Sequence, residues 1–155
     1  MKFYSKNGFE HYEVSNFAKP GFQSVHNSAY WKGKPYLGLG PSAHSFDGNK
    51  LRFENVANMH EYFAMIDAGK APMAKSSTLD EQTRKQDWIS LQLRRSEGIR
   101  YADAIINLGA KETAQLWQRA QALPETARVL TPDHFYLTAA GWFRENSVLL
   151  WLEEK

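Results

Sequence analysis

Cysteine is absent from the 155 residues. Disulfides, a cysteine nucleophile, thiolate-bound zinc and cysteine-held iron–sulfur clusters are therefore excluded within this chain. Long apolar runs are missing too: none approaches the roughly 18 residues that a membrane span needs, so no span is expected. The N-terminal stretch MKFYSKNGFE lacks the apolar segment of a secretory signal, and the expected location is cytoplasmic. No segment repeats, and none is low in complexity.

What is present is an ordinary globular composition with one excess. Hydrophobic residues make up 43% and charged residues 23%, and the length suits one domain or two small ones. Aromatics reach 14%, which favours a thick core or a flat, stacked ligand. The net charge of +2 is unevenly spread: up to residue 53, seven cations (Lys2, Lys6, Lys19, Lys32, Lys34, Lys50, Arg52) face three anions (Glu10, Glu13, Asp47). The first third therefore carries about +4 and the rest about −2, which reads first as ordinary scatter of surface charge and alternatively as a mildly electropositive mouth for an anionic ligand.

Local patterns place the elements. His11 to Phe17 is rich in β-formers and is ended by AKPG, which predicts a strand and a turn. PYLGLG, from Pro35 to Gly40, predicts a second strand closing in a glycine turn. HSFDGNKLRFENV, from His44 to Val56, predicts a hairpin bent at DGN. From about Val56 the period becomes helical, with Met59, Tyr62, Phe63 and Ile66 on one face. Leu79 to Arg95 predicts a longer helix, acidic at its start through Asp80 and Glu81, with Trp88, Ile89, Leu91 and Leu93 turned inward. EGI then breaks the pattern. Helices over Tyr101–Leu108 and Lys111–Leu123 follow, then a hairpin around Pro132-Asp133. Thr138 caps a last helix that buries Trp142, Phe143, Leu149 and Leu150. Helix, helix, helix, hairpin, helix is the outline of a winged-helix-like unit. A boundary is expected within 70–78, where GKAPMAKSST is small, polar and proline-bearing.

Three stretches carry chemistry: YEVSNFAKPG, HNSAYW (His26 to Trp31) and YLGLGPSAHS (Tyr36 to Ser45). In this order and spacing they resemble the radical-SAM family that joins oxygen-independent coproporphyrinogen III oxidases to HemW-type haem chaperones. RKQDWISLQLRRSEGI and LTPDHFYLTAAG resemble the long helix and the wing of that family's C-terminal domain. The resemblance implies an α/β part, residues 1–72, formed by the last strands of a partial radical-SAM (β/α) barrel. Residues 73–155 would form a mainly helical, winged-helix-like domain.

The family's chemistry uses S-adenosylmethionine and a [4Fe–4S] cluster held by a CxxxCxxC motif. This chain has no such cysteines. The resemblance therefore implies a C-terminal piece, inert alone, whose partner is the missing N-terminal barrel half. Exposed strand edges would then invite self-association.

The resemblance also implies roles for single positions. Ala18, after the NF of the late barrel strand, and His44 would lie on the S-adenosylmethionine side. Gly38 and Gly40 would allow close backbone approach there, with Ser42 and Ser45 adding small polar groups. The family's usual glycine after GP is Ser42 here. Oxidases of the family carry arginine at the His26 position and isoleucine at the His44 position, whereas HemW-like members carry histidine at both. In that branch the HNxxYW motif is associated with haem, so His26 would be the axial ligand to haem iron, with Tyr30 and Trp31 at the porphyrin edge. The implied small-molecule partner is haem or a porphyrin.

His11, His60 and His134 form no close metal pair and are expected to be structural or exposed. Two rival classes remain: a winged-helix nucleic-acid module and a stand-alone haem carrier. Against the first, Lys111 to Leu123 offers only Lys111 and Arg119 as cations, with Glu112 offsetting one. No nucleic-acid partner is expected.

Overall fold

A computed structural model describes residues 2–153. The chain starts with α1 (Lys2–Lys6), β1 (Glu10–Glu13), β2 (Asn16–Ala18) and α2 (Val25–Trp31). Next come β3 (His44–Phe46), β4 (Leu51–Asn55), α3 (Met59–Asp67) and β5 (Met73–Thr78). The remainder is α4 (Glu81–Leu93), β6 (Ile99–Arg100), α5 (Tyr101–Leu108), α6 (Ala110–Ala122), β7 (Arg128–Leu130), β8 (His134–Leu137), α7 (Ala139–Trp142) and α8 (Glu145–Glu153). Two compact units result, one of residues up to 32 together with 85 onward, the other of residues 33–84. The division expected at residue 72 does not coincide with either limit.

In the first unit, His11 to Phe17 is two strands rather than one. β1 and β2 pair antiparallel, Glu10 opposite Ala18 and His11 opposite Phe17, with an irregularity between His11 and Glu13. The chain then reaches the segment after α4: Val14 N–H donates to the Arg94 carbonyl at 2.8 Å, and Ser96 N–H to that of Tyr12 at 3.0 Å. Leu93, Ile99, Leu108, Leu116, Phe135, Leu137, Trp142, Val148 and Leu152 form the core, with Trp88 and Ile89 packed on it. β6, β8 and β7 make an antiparallel sheet in that order. Gly98, in the EGI break, has φ +59, and a Cβ there would meet the Phe135 carbonyl oxygen at 2.3 Å. Only glycine lets α4 end this close to β8.

The last helix is broken. Thr138 does cap α7, its Oγ1 accepting from Gly141 N–H at 3.2 Å. However, Arg144 N–H turns to the Gly141 carbonyl, and α8 restarts at Glu145. That break shifts the phase, so Val148 and Leu152 are buried while Phe143 and Leu150 are exposed, against expectation.

In the second unit, β3, β4 and β5 form an antiparallel sheet in that order. The hairpin over His44–Asn55 stands as expected, with Ser45 opposite Phe53. Asp47 Oδ1 accepts from the N–H groups of Asn49, Lys50 and Leu51 at its tip. The Asn49 N–H above all holds this carboxyl below its ordinary range. Within 70–78, where a boundary is expected, Met73–Thr78 is the strand β5, which pairs with β4 from Leu51–Thr78 to Asn55–Met73. PYLGLG is not a strand either: only Tyr36 bridges, to Phe46, and the rest is loop.

All ladders among the described residues are antiparallel, and none closes into a barrel. Parallel barrel strands need long crossovers. Here β1–β2, β3–β4 and β7–β8 are joined by short turns, which permit only antiparallel pairs. Among the described residues no helix is long and apolar enough to cross a membrane.

Candidate functional site

The HNSAYW stretch forms α2. Ser24 starts it, its Oγ accepting from Asn27 N–H at 3.2 Å, and so supplies one of the partners a first turn lacks. The Ser24 N–H itself donates to the Tyr12 hydroxyl at 3.3 Å, fixing α2 to β1. His26 is exposed on the first turn. One turn later Tyr30 brings its ring centroid to 5.4 Å from the imidazole, tilted by 58°. Trp31 faces inward instead, with the Arg94 guanidinium 5.4 Å above its ring. Its carbonyl accepts from Gln92 Nε2 at 3.2 Å. Its Nε1 is buried without a hydrogen-bond partner among the described residues.

An axial haem ligand must offer an accessible imidazole nitrogen. His26 fits that requirement: it is exposed, and among the described residues no hydrogen bond occupies its ring nitrogens. Tyr30 is placed beside it, whereas Trp31 is engaged with Arg94 and Gln92. An iron–sulfur cluster does not fit this chain, which supplies no thiolate.

The second group of residues lies in the other unit. Gly38, Gly40, Ser42 and His44 share one loop leading into β3. A Cβ on Gly38 would come to 2.1 Å from the His44 carbonyl oxygen, so the loop folds back on His44 through this glycine. The Gly38 N–H donates to Ser45 Oγ at 3.0 Å and the Gly40 N–H to the Tyr62 hydroxyl at 3.1 Å. Both carbonyls accept from Asn55 Nδ2, at 3.2 and 3.0 Å. The close approach expected of these glycines is thus to the protein's own backbone. Ser42 occupies the left-handed region at φ 57, a conformation that suits the glycine expected there. His44 and Ser42 are exposed. Ala18 ends β2 in the first unit with its side chain buried, opposite Glu10.

The other histidines are structural or exposed. His11 stacks on Phe17 at 4.2 Å and meets Trp142 edge-on at 4.5 Å. His134 Nε2 donates to the Glu97 carbonyl, and His60 is exposed on α3. Among the described residues no cluster of three acidic, histidine or cysteine side chains could hold a metal ion.

Sequence reasoning missed three residues. Asn55 and Tyr62 tie the glycine loop, and they read only as a strand-end polar residue and one member of a helical face. Glu13 is fully buried, its Oε1 accepting from Ser15 N–H at 3.2 Å and its Oε2 unpartnered among the described residues. The single signal for Glu13 is a charged residue inside a run of β-formers.

Over almost its whole length the chain is similar in fold to part of a solved structure. The coproporphyrinogen III oxidase HemN of Escherichia coli, a radical SAM enzyme, superimposes with a TM-score of 0.71 over 98% of this chain and 38% of that one, at 14% identity. In sequence, the heme chaperone HemW of Mycobacterium tuberculosis is 33% identical over 146 residues, 94% of this chain and 35% of the relative. The heme chaperone HemW of Lactococcus lactis is also 33% identical, over 99 residues, 64% of this chain and 25% of the relative. The chain is HemW/HemN-like, similar to the C-terminal part of these proteins. It spans about a quarter to a third of the curated relatives' length. No family model matches the chain.

Proposed function

We propose that this chain is the haem-contacting part of a HemW-type radical-SAM haem chaperone, and that His26 supplies an axial nitrogen to the haem iron. The observation that carries this reading is the exposed His26 imidazole on a capped helix, with Tyr30 one turn away. The 33% identity to two heme chaperones supports it. Tyr30 borders the porphyrin, and Trp31 stiffens α2 from within through Arg94. Bound haem would supply an iron with an axial position for imidazole.

In the same reading, Ala18, Gly38, Gly40, Ser42 and His44 belong to the S-adenosylmethionine side. The cluster thiolates come from sequence outside this chain, which alone cleaves no S-adenosylmethionine. The cofactor-facing residues then lie within 1–72, and the HemN-type helical domain, with β7–β8 as its wing, follows β5. The location is cytoplasmic, and the exposed edge strand β5 is the place for self-association.

Coproporphyrinogen oxidation is the lesser reading, because its support is a fold likeness at 14% identity. A nucleic-acid module has less support still. Arg119 donates to the Leu152 carbonyl, and Glu112 pairs with Lys85 at 2.7 Å, which leaves α6 short of a cationic stripe.

A haem titration followed at the Soret band tests the proposal. Wild type should give a saturable shift, His26→Ala should lose or move it, and His134→Ala should not. An indistinguishable band in His26→Ala would leave α2 a purely structural helix.

A further inference from the structure

We propose that Asn55 and Tyr62 are positioning residues that set the shape of the Gly38–Gly40 loop and, through it, the place of His44. The inference rests on the reading of this loop as the S-adenosylmethionine side.

The geometry lies wholly within residues 33–84. The four residues between Tyr36 and Pro41 include four glycine backbone groups that no ladder satisfies, since only Tyr36 bridges to β3. An unpaired backbone group away from water is costly, so each must find a partner. Three side chains give each a partner, and the Gly40 carbonyl also accepts from the Ala43 N–H at 3.3 Å. Ser45, the residue after His44, takes the Gly38 N–H. Tyr62, from α3, takes the Gly40 N–H. Asn55, at the end of β4, donates from one nitrogen to both glycine carbonyls. Asn55 is itself fixed, because its own N–H donates to the Ala43 carbonyl at 2.9 Å.

This arrangement has two consequences. The glycine polar groups point into the protein and are consumed there, so they are not what a ligand meets. Leu37 and Leu39 alternate with them and are 78% and 80% exposed, alongside the exposed Ser42 and His44. The loop therefore offers side chains, held on a tied frame, to whatever binds it. Secondly, Gly38 packs against the His44 backbone with no room for a Cβ. A loop released from Asn55 and Tyr62 carries that contact with it and displaces His44. Both residues act without touching a ligand.

Tyr62→Phe removes one hydroxyl and keeps the ring, and Asn55→Asp keeps the shape while replacing two donors with acceptors. Amide hydrogen exchange and the His44 imidazole NMR signals of the unliganded chain give the first readout. Tyr62→Phe should speed Gly40 exchange by about fivefold or more, the worth of one hydrogen bond. Both variants should move the His44 signals, and Lys70→Ala should move neither. Unchanged His44 signals in both variants would overturn the proposal.

Equilibrium dialysis with S-adenosylmethionine gives the second readout. If wild type binds, both variants should bind at least about fivefold more weakly at a temperature where each is fully folded. Equal affinity in the variants would also overturn the proposal. No binding by wild type, with His44 still displaced in the variants, would contradict the reading of the loop's ligand and uphold the positioning roles.

Discussion

The Trp142 indole nitrogen donates to the Leu93 carbonyl oxygen at 2.7 Å, between residues 49 positions apart. Leu93 ends α4, where carbonyls have no partner within the helix, and it is fully buried. A residue of α7 thus closes the end of α4, while His11 lies edge-on against the same indole. Trp142→Phe leaves that carbonyl unpaired away from water. We expect a loss of about 1–3 kcal/mol in urea unfolding, before any cost of the smaller ring. A midpoint equal to wild type would show that the bond contributes nothing net.

Gly98 offers a harsher substitution. In Gly98→Ala the new methyl carbon would lie 2.3 Å from the Phe135 carbonyl oxygen and 2.4 Å from the Tyr136 Cβ, at a positive φ. The left-handed conformation costs about 1–2 kcal/mol and the overlap about 1–3 more. Loss of near-ultraviolet circular dichroism, or a melting point lower by many degrees, is the expected result.

These contacts also mark what could be read in advance. The ends of α5 and the hairpin over His44–Asn55 were legible because Gly109 and the DGN turn act locally. The break between α7 and α8 was not. An uninterrupted period from Trp142 points Leu150 inward, but the turn at Arg144 resets the phase and brings Val148 and Leu152 to the core instead. PYLGLG alternates as a strand should, yet its backbone groups are captured by Ser45, Asn55 and Tyr62, which are remote in sequence and compete with any ladder. At the candidate site, His26 and Tyr30 stood out through the family resemblance, whereas the helix α2 that sets them one turn apart had no periodic signal in so short a stretch. The inward turn of Trp31 depended on Arg94, 63 positions along the chain, which no local pattern reports.

Ser42 holds a conformation that a serine side chain resists. Ser42→Gly should relieve it and raise stability by up to about 1 kcal/mol, whereas Ser42→Ala should gain nothing. The two variants compared by thermal unfolding separate backbone strain from loss of the hydroxyl. A Ser42→Gly protein less stable than Ser42→Ala would refute the strain.

The hairpin tip predicts a pH dependence. Asp47 is held below its ordinary value of 3.8, first by the Asn49 N–H and then by those of Leu51 and Lys50. A carboxyl lowered on folding adds stability above its unfolded value, and that stability is lost as pH falls through the folded one. Wild type should therefore lose melting temperature more steeply than Asp47→Asn below about pH 4. Parallel acid limbs in the two proteins would show that the tip contributes no linkage.

The central claim is that His26 places a nitrogen on haem iron, and imidazole rescue tests it most directly. Haem-loaded wild type and His26→Ala are compared by absorption and resonance Raman spectroscopy, with and without added imidazole. The variant should lose the wild-type axial signature and regain it when free imidazole fills the vacated position, while wild type stays unchanged. A variant that keeps the wild-type signature without imidazole would contradict the assignment.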